Sequence, residues 1–153
     1  MLTIQRAQLD DAYQLTAIKT AAYNLEINTY LGRDGGPPGY NDVNSQISII
    51  TNCIAYKIVL DTTIIGAFFL IPLEDSCMRF EDFVIQPSYQ GLGYGYLTMQ
   101  LLEKEYPSIH KWLLSTPIFS IKNQYLYKKF GYCEILRNQD EIEYCKLIQS
   151  NIY

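Results

Sequence analysis

The segment Ile85-Gln86-Pro87-Ser88-Tyr89-Gln90-Gly91-Leu92-Gly93-Tyr94-Gly95-Tyr96 sets three alternate glycines after an apolar run and a proline. Glycine lacks a Cβ, so a ligand can approach the backbone N–H groups of such a turn. A helix opening at the same point adds unpaired N–H donors and the positive end of a dipole. The chemistry on offer is recognition of a phosphate or pyrophosphate. The spacing is not the G-x-G-x-x-G of dinucleotide sites, because Tyr96 stands at the third glycine position. No Lys-Ser or Lys-Thr follows, so it is not a Walker-type loop either. His110 is the only histidine, which argues against a Ser-His or Cys-His triad. Cys53, Cys77, Cys133 and Cys145 are too widely spaced for a zinc site and are expected as free thiols packed like small apolar residues.

The chain has 153 residues, a length suited to one domain over 1–153. Hydrophobic residues make up 48% and charged residues 18%, a globular composition. The net charge of −4 argues against a nucleic-acid or anionic-membrane partner, since both need a basic patch. It suits a small-molecule partner, with a mild preference for a cationic one. No apolar run approaches a membrane span, and the first residues lack the pattern of a signal peptide, so a cytoplasmic protein is expected.

The elements that must position the glycine turn follow from periodicity. Leu2 to Arg6 alternates as a strand. Asp10-Asp11 caps a helix, with Asp11 and Gln14 at capping-box spacing and Leu15, Ile18, Ala22 and Leu25 on one stripe. The segment Gly32 to Tyr40 is rich in glycine and proline and reads as a binding loop or a connector. Asn41-Asp42 caps a second helix with Val43, Ile47 and Ile50 on one face. Strands are expected at Ile54 to Leu60, Thr63 to Ile71 and Cys77 to Ile85, with a turn at Pro72 to Ser76. The apolar third strand reads as central. A helix from Leu92 to Tyr106 is followed by a strand at Lys111 to Thr116, a parallel crossover. A helix from Ile121 to Phe130 stops at Gly131, and strands at Tyr132 to Leu136 and Ile142 to Ile148 complete the chain. The order β-α-α-β-β-β-α-β-α-β-β makes an α/β fold with a mixed sheet.

Gln90-Gly91-Leu92-Gly93-Tyr94-Gly95 resembles the Gln/Arg-x-x-Gly-x-Gly/Ala loop of the GNAT superfamily of acyl-CoA-dependent N-acetyltransferases, and Ile85-x-Pro87 resembles the segment that precedes it. The element order is similar to that fold over the whole chain. The resemblance implies a three-layer fold, with a mixed, mostly antiparallel sheet and a splayed parallel strand pair at the cofactor cleft. It implies acetyl-CoA as cosubstrate, no metal, and an amine acceptor from a small molecule or peptide. The pantetheine arm would lie along Phe83, Val84 and Ile85, with a backbone N–H near Val84 or Ile85 polarising the thioester. The pyrophosphate would rest on the loop from Gln90 through Gly91, Leu92, Gly93, Tyr94 and Gly95 to Tyr96.

Tyr125-Leu126-Tyr127-Lys128-Lys129-Phe130-Gly131-Tyr132 is similar to the family's Tyr-x-x-x-Gly-Phe/Tyr segment. The resemblance implies Tyr127 as the acid that protonates the departing thiolate. The family's asparagine, seven residues earlier, is Ser120 here, and Asn123 is the alternative contact for the arm. The general base has no clear family position, because Ser115 stands where some relatives carry glutamate. Glu81, Asp82 and Glu26 are the candidates, with Glu81 placed first. Strand alternation puts Glu81 and Asp82 on opposite faces. Two other readings stay open: a catalytically silent acyl-CoA-binding module, and an interaction domain whose glycine loop is only a turn. Relatives are often dimers, and the strand Ile142 to Ile148 with the tail Ser150 to Tyr153 is the segment expected to reach a partner.

Overall fold

The computed structural model describes residues 1–149. Seven strands form one sheet: β1 (Leu2–Arg6), β2 (Ile54–Leu60), β3 (Thr63–Leu73), β4 (Cys77–Ile85), β5 (Lys111–Pro117), β6 (Cys133–Arg137) and β7 (Glu141–Leu147). Their order is β1-β2-β3-β4-β5-β7-β6, and every neighbouring pair is antiparallel except β4 with β5. Four helices cover the sheet: α1 (Ala12–Leu31), α2 (Val43–Asn52), α3 (Tyr94–Glu105) and α4 (Ile121–Phe130).

Alternation along the strands builds a core on each face. Tyr56, Phe68, Phe80, Trp112 and Leu114 pack with Met99 and Leu102 of α3 and Tyr127 and Phe130 of α4. Ala55, Ala67 and Val84 pack with Leu15, Ile18 and Ala22 of α1. The bulky side chains therefore serve the α3/α4 face and the small ones the α1/α2 face. The result is the expected three-layer α/β fold.

The parallel pair positions the site. Pairing between β4 and β5 runs only from Cys77↔Lys111 to Arg79↔Leu113. Beyond Arg79 the strands part, leaving the far half of that β4 edge without a strand partner. A β-bulge sharpens the change. The β3–β4 register runs from Ala67↔Val84 to Phe69↔Glu81, so two residues, Asp82 and Phe83, face Phe68. Asp82 takes φ 58°, the left-handed region that aspartate tolerates better than most residues. Glu81 lies opposite Phe69, which packs on the α1 side, and Asp82 reaches α1 as well. The expectation of opposite faces for Glu81 and Asp82 is thus corrected: the extra residue cancels the alternation. The same slip puts Phe80 and Phe83 together against the α3/α4 core, with ring centroids 5.0 Å apart.

Other expectations shift locally. Asp11 does not pair with Gln14; its carboxylate accepts from the Gln8 N–H at 2.7 Å across a short 3₁₀ turn and also holds Lys57. Leu25 is not in the core but 46% exposed. β3 runs on through Pro72 to Leu73, because Asp75 and Ser76 at positive φ turn the chain within fewer residues. β3 is interior as expected, paired with β2 on one edge and β4 on the other. α3 starts at Tyr94 rather than Leu92, since Gly93 at φ 87° is its N-cap. Cys133 is exposed rather than packed, while Cys77 is buried. β7 pairs on both sides, so it offers no free edge. The tail Ser150 to Tyr153 lies outside the described residues.

Candidate active site

The end of β4 runs through Pro87–Tyr89, a 3₁₀ turn, into the glycine loop and α3. Gly91 and Gly93 take φ 75° and 87°, where a side chain is strained, and a Cβ at either position would meet no atom within 4 Å. These glycines are therefore needed for conformation, and the space beside them is open. The N-cap of α3 is Gly93, which has no side chain to offer, so the first-turn N–H groups of Tyr94, Gly95 and Tyr96 keep their donors free of a side-chain cap. Gly95 has a different reason: a Cβ there would sit 3.1 Å from the Leu126 side chain, so it lets α3 and α4 approach. Gln90 turns back, and its amide donates to the Ile85 carbonyl at 2.8 Å, tying the loop to the strand end.

A cavity of about 510 Å³ opens at this point. Its walls are Phe83 to Ile85, the loop from Gln90 to Tyr96 apart from Leu92, the C-terminal half of α1, and α4. Ala22, Glu26 and Thr29 repeat at helical spacing on the α1 wall, joined by Tyr23, Leu25 and Tyr30. Lys122, Leu126 and Lys129 form the matching stripe on α4, beside Asn123 and Tyr125. The two lysines bring positive charge to the α4 wall that faces the loop. That i, i+4, i+7 spacing was present in the sequence but was not read as part of the site.

The expected residues divide accordingly. Phe83, Val84, Ile85, Gln90, Gly91, Gly93, Tyr94, Gly95, Tyr96 and Asn123 line the cavity; Leu92, Ser120, Tyr127 and Glu81 do not. Asn123 also donates weakly to Thr116 Oγ1 at 3.4 Å. Ser120 is fully buried and donates to Glu26 Oε1 at 2.8 Å, which fastens α1 to the start of α4 across the parted strands. Tyr127 is 5% exposed, with the rings of Tyr132 and Tyr144 about it. Burial pushes its phenol well above the ordinary tyrosine value, and the charges of Glu26 and Glu81 push the same way.

The carboxylates differ in how free they are. Glu81 accepts from Arg79 Nη1 at 3.1 Å, and Arg79 also holds Glu143. Burial raises the Glu81 carboxyl, against the pull of Arg79. Asp82 accepts from both Lys19 and Tyr23, and Lys19 is itself buried. Glu26 is the one carboxylate among the described residues on the cavity wall. Burial raises its carboxyl above the ordinary value, opposed by Ser120 and Lys122. The wall residue Tyr23 is pushed far up by burial and by Asp82, so it stays a neutral phenol.

The open, uncapped start of α3 beside the parted strands offers free N–H donors of the kind that suit an anion. The sequence matches the acetyltransferase (GNAT) family over residues 21–132, and the chain belongs to that family. Solved structures share the fold at low identity. A GNAT-family acetyltransferase from Streptococcus agalactiae matches with a TM-score of 0.83 and 19% identity, over 97% of this chain and 96% of that one. The PaiA N-acetyltransferase from Thermoplasma acidophilum, solved with coenzyme A, matches with 0.79 and 13%, over 97% and 99%. The ribosomal-protein-S18-alanine N-acetyltransferase from Escherichia coli matches with 0.71 and 14%, over 100% and 99%. No curated protein matches the sequence.

Proposed function

We propose that this chain is a single-domain, cytoplasmic N-acetyltransferase that moves an acetyl group from acetyl-CoA to a primary amine of a small molecule or peptide. The observation that carries the reading is the open loop Gly91–Gly93 and the uncapped start of α3, set where β4 parts from β5. These features fit acetyl-CoA: free N–H donors suit a pyrophosphate, and an unpartnered strand edge suits an extended amide-bearing arm.

The N–H groups from Gly91 to Tyr96 hold the pyrophosphate, with Lys122 and Lys129 adding charge on the facing wall. Phe83 to Ile85 orient the arm, while Asn123 supplies a side-chain amide from the α4 wall. Acetyl-CoA supplies an acyl carbon already activated as a thioester, so positioning accounts for much of the rate. Tyr127 keeps its proton because burial disfavours the phenolate, and it serves as the acid for the leaving thiol. The acceptor enters beside α1, α2 and the loop from Gly32 to Tyr40.

A silent acyl-CoA-binding module is the second reading. It is favoured by the positions of Glu81, which is held by Arg79, and of Tyr127, since neither lines the cavity.

The test is thermal unfolding with and without acetyl-CoA, with NAD and ATP as controls. At 100-fold saturation a specific site adds about 2.7 kcal/mol and raises Tm by several degrees. A rise with acetyl-CoA alone supports the reading; no rise with any of the three removes it. Release of free thiol in the presence of primary amines then separates the transferase from the silent module.

A further inference from the structure

We infer that Glu26 of α1, held by Ser120, is the general base that takes the proton from the acceptor amine. This rests on the transferase reading and goes beyond it, because it moves the base from the sheet to a helix.

Three observations carry the assignment. Glu26 is the one carboxylate on the cavity wall among the described residues, whereas Glu81 and Asp82 are engaged elsewhere. Ser120, fully buried, donates to Oε1 at 2.8 Å and fixes that oxygen, which leaves Oε2 to meet a substrate. Ser120 is also the N-cap of α4, the helix that carries Tyr127, so the tie sets Glu26 against the element that bears the proposed acid. The charged and titratable groups around Glu26 are Tyr23 on its own helix and Lys122 and Tyr127 on α4.

The environment suits the task. An ammonium near pKa ~10.4 must give a proton to a carboxylate near ~4.3, an unfavourable transfer in water. A half-buried wall disfavours charge on both partners, raising the carboxyl and lowering the ammonium, so the gap narrows. Burial does raise Glu26. The balance is simple. The ammonium nitrogen loses one proton to Glu26, its lone pair forms the N–C bond, and the C–S bond breaks with its electron pair on sulfur. Tyr127 gives the sulfur a proton and recovers one from the new amide nitrogen; the proton on Glu26 passes to solvent.

The experiment compares wild type with Glu26→Gln, Glu81→Gln and, as a remote control, Glu134→Gln on the exposed strand β6. Thiol release is followed against pH with a panel of primary amines, beside the Tm rise with acetyl-CoA. Glu26→Gln should keep the Tm rise but lose about 100-fold in kcat/KM together with the acid limb of the pH profile. Ser120→Ala should move that limb to higher pH, because the lost hydrogen bond favours the charged carboxylate. It also carries the test should Glu26→Gln fold poorly.

A second readout needs no substrate. The folded state holds the Glu26 proton more tightly than the unfolded chain, so stability is lost as pH rises through the raised pKa. Glu26→Gln removes that loss. It should melt above wild type at neutral pH, with the difference closing at about pH 4. An acid limb that survives in Glu26→Gln, or disappears in Glu81→Gln instead, overturns the assignment while leaving the transferase intact. A wild type that neither gains stability from acetyl-CoA nor releases thiol overturns both.

Discussion

Tyr127 carries two physical features that point the same way. It sits at 5% exposure among tyrosine rings, and its phenol is held neutral by burial and by the carboxylates of Glu26 and Glu81. A neutral phenol can donate a proton throughout the working range, so its own ionisation should add no basic limb to the pH profile below about pH 10. Tyr127→Phe should keep the fold and the Tm rise with acetyl-CoA while kcat falls about 100-fold, the scale of a lost general acid. Steady-state thiol release and melting curves on the same preparation decide this. An unchanged kcat would make Tyr127 a packing residue. The family resemblance singles the tyrosine out by its place before Lys128-Lys129-Phe130-Gly131. Its burial was not legible, because fourteen tyrosines look alike in sequence and depth is set by the strands beneath them.

At the scale of elements, two local devices shape the cleft, and only one was legible. The glycine loop announced itself, because alternate glycines have a direct backbone meaning. Gly93→Ala should cost about 1–2 kcal/mol for a side chain at φ 87°, a Tm loss of a few degrees, and should abolish the acetyl-CoA increment by filling the open space beside the loop. Calorimetry with and without ligand checks both; a normal increment would show that the loop does not hold the ligand. The bulge in β4 was not legible. Cys77 to Ile85 alternates well enough to read as a regular strand, and the only hint was an aspartate, a residue that tolerates positive φ. That bulge delivers Asp82 to Lys19 and Tyr23, locking α1 to β4. Lys19→Met should therefore destabilise by about 3–5 kcal/mol, since it strands a mostly buried carboxylate. Adding Asp82→Asn should recover part of that loss in urea unfolding.

The whole molecule has unequal layers. Element order and the parallel crossover follow from periodicity, and the three-layer arrangement follows from the family resemblance, which is why the architecture was legible over the described residues. The inequality was not, because it depends on which strand residues face which helices. The α3/α4 face is built on tryptophan, phenylalanine and tyrosine, whereas the α1/α2 face rests largely on alanine, with Leu15 and Ile18 as its larger anchors. Less apolar area is therefore removed from water beneath α1 and α2, and the hold of α1 depends more on the Lys19–Asp82 tie to β4 and the Glu26–Ser120 tie to the start of α4. Those helices also form the wall against which the acceptor is proposed to bind, so the weaker layer is the one that would have to admit substrate. In native-state hydrogen exchange, amides of α1 and α2 should exchange through a partial opening at lower free energy than those of α3, β3, β4 and β5. Acetyl-CoA should raise protection most in the second half of α1 and the first turn of α3, the two walls that meet at the cavity. Uniform exchange at the global unfolding free energy would show that the two layers open as one, and that acceptor entry needs no separate motion of α1.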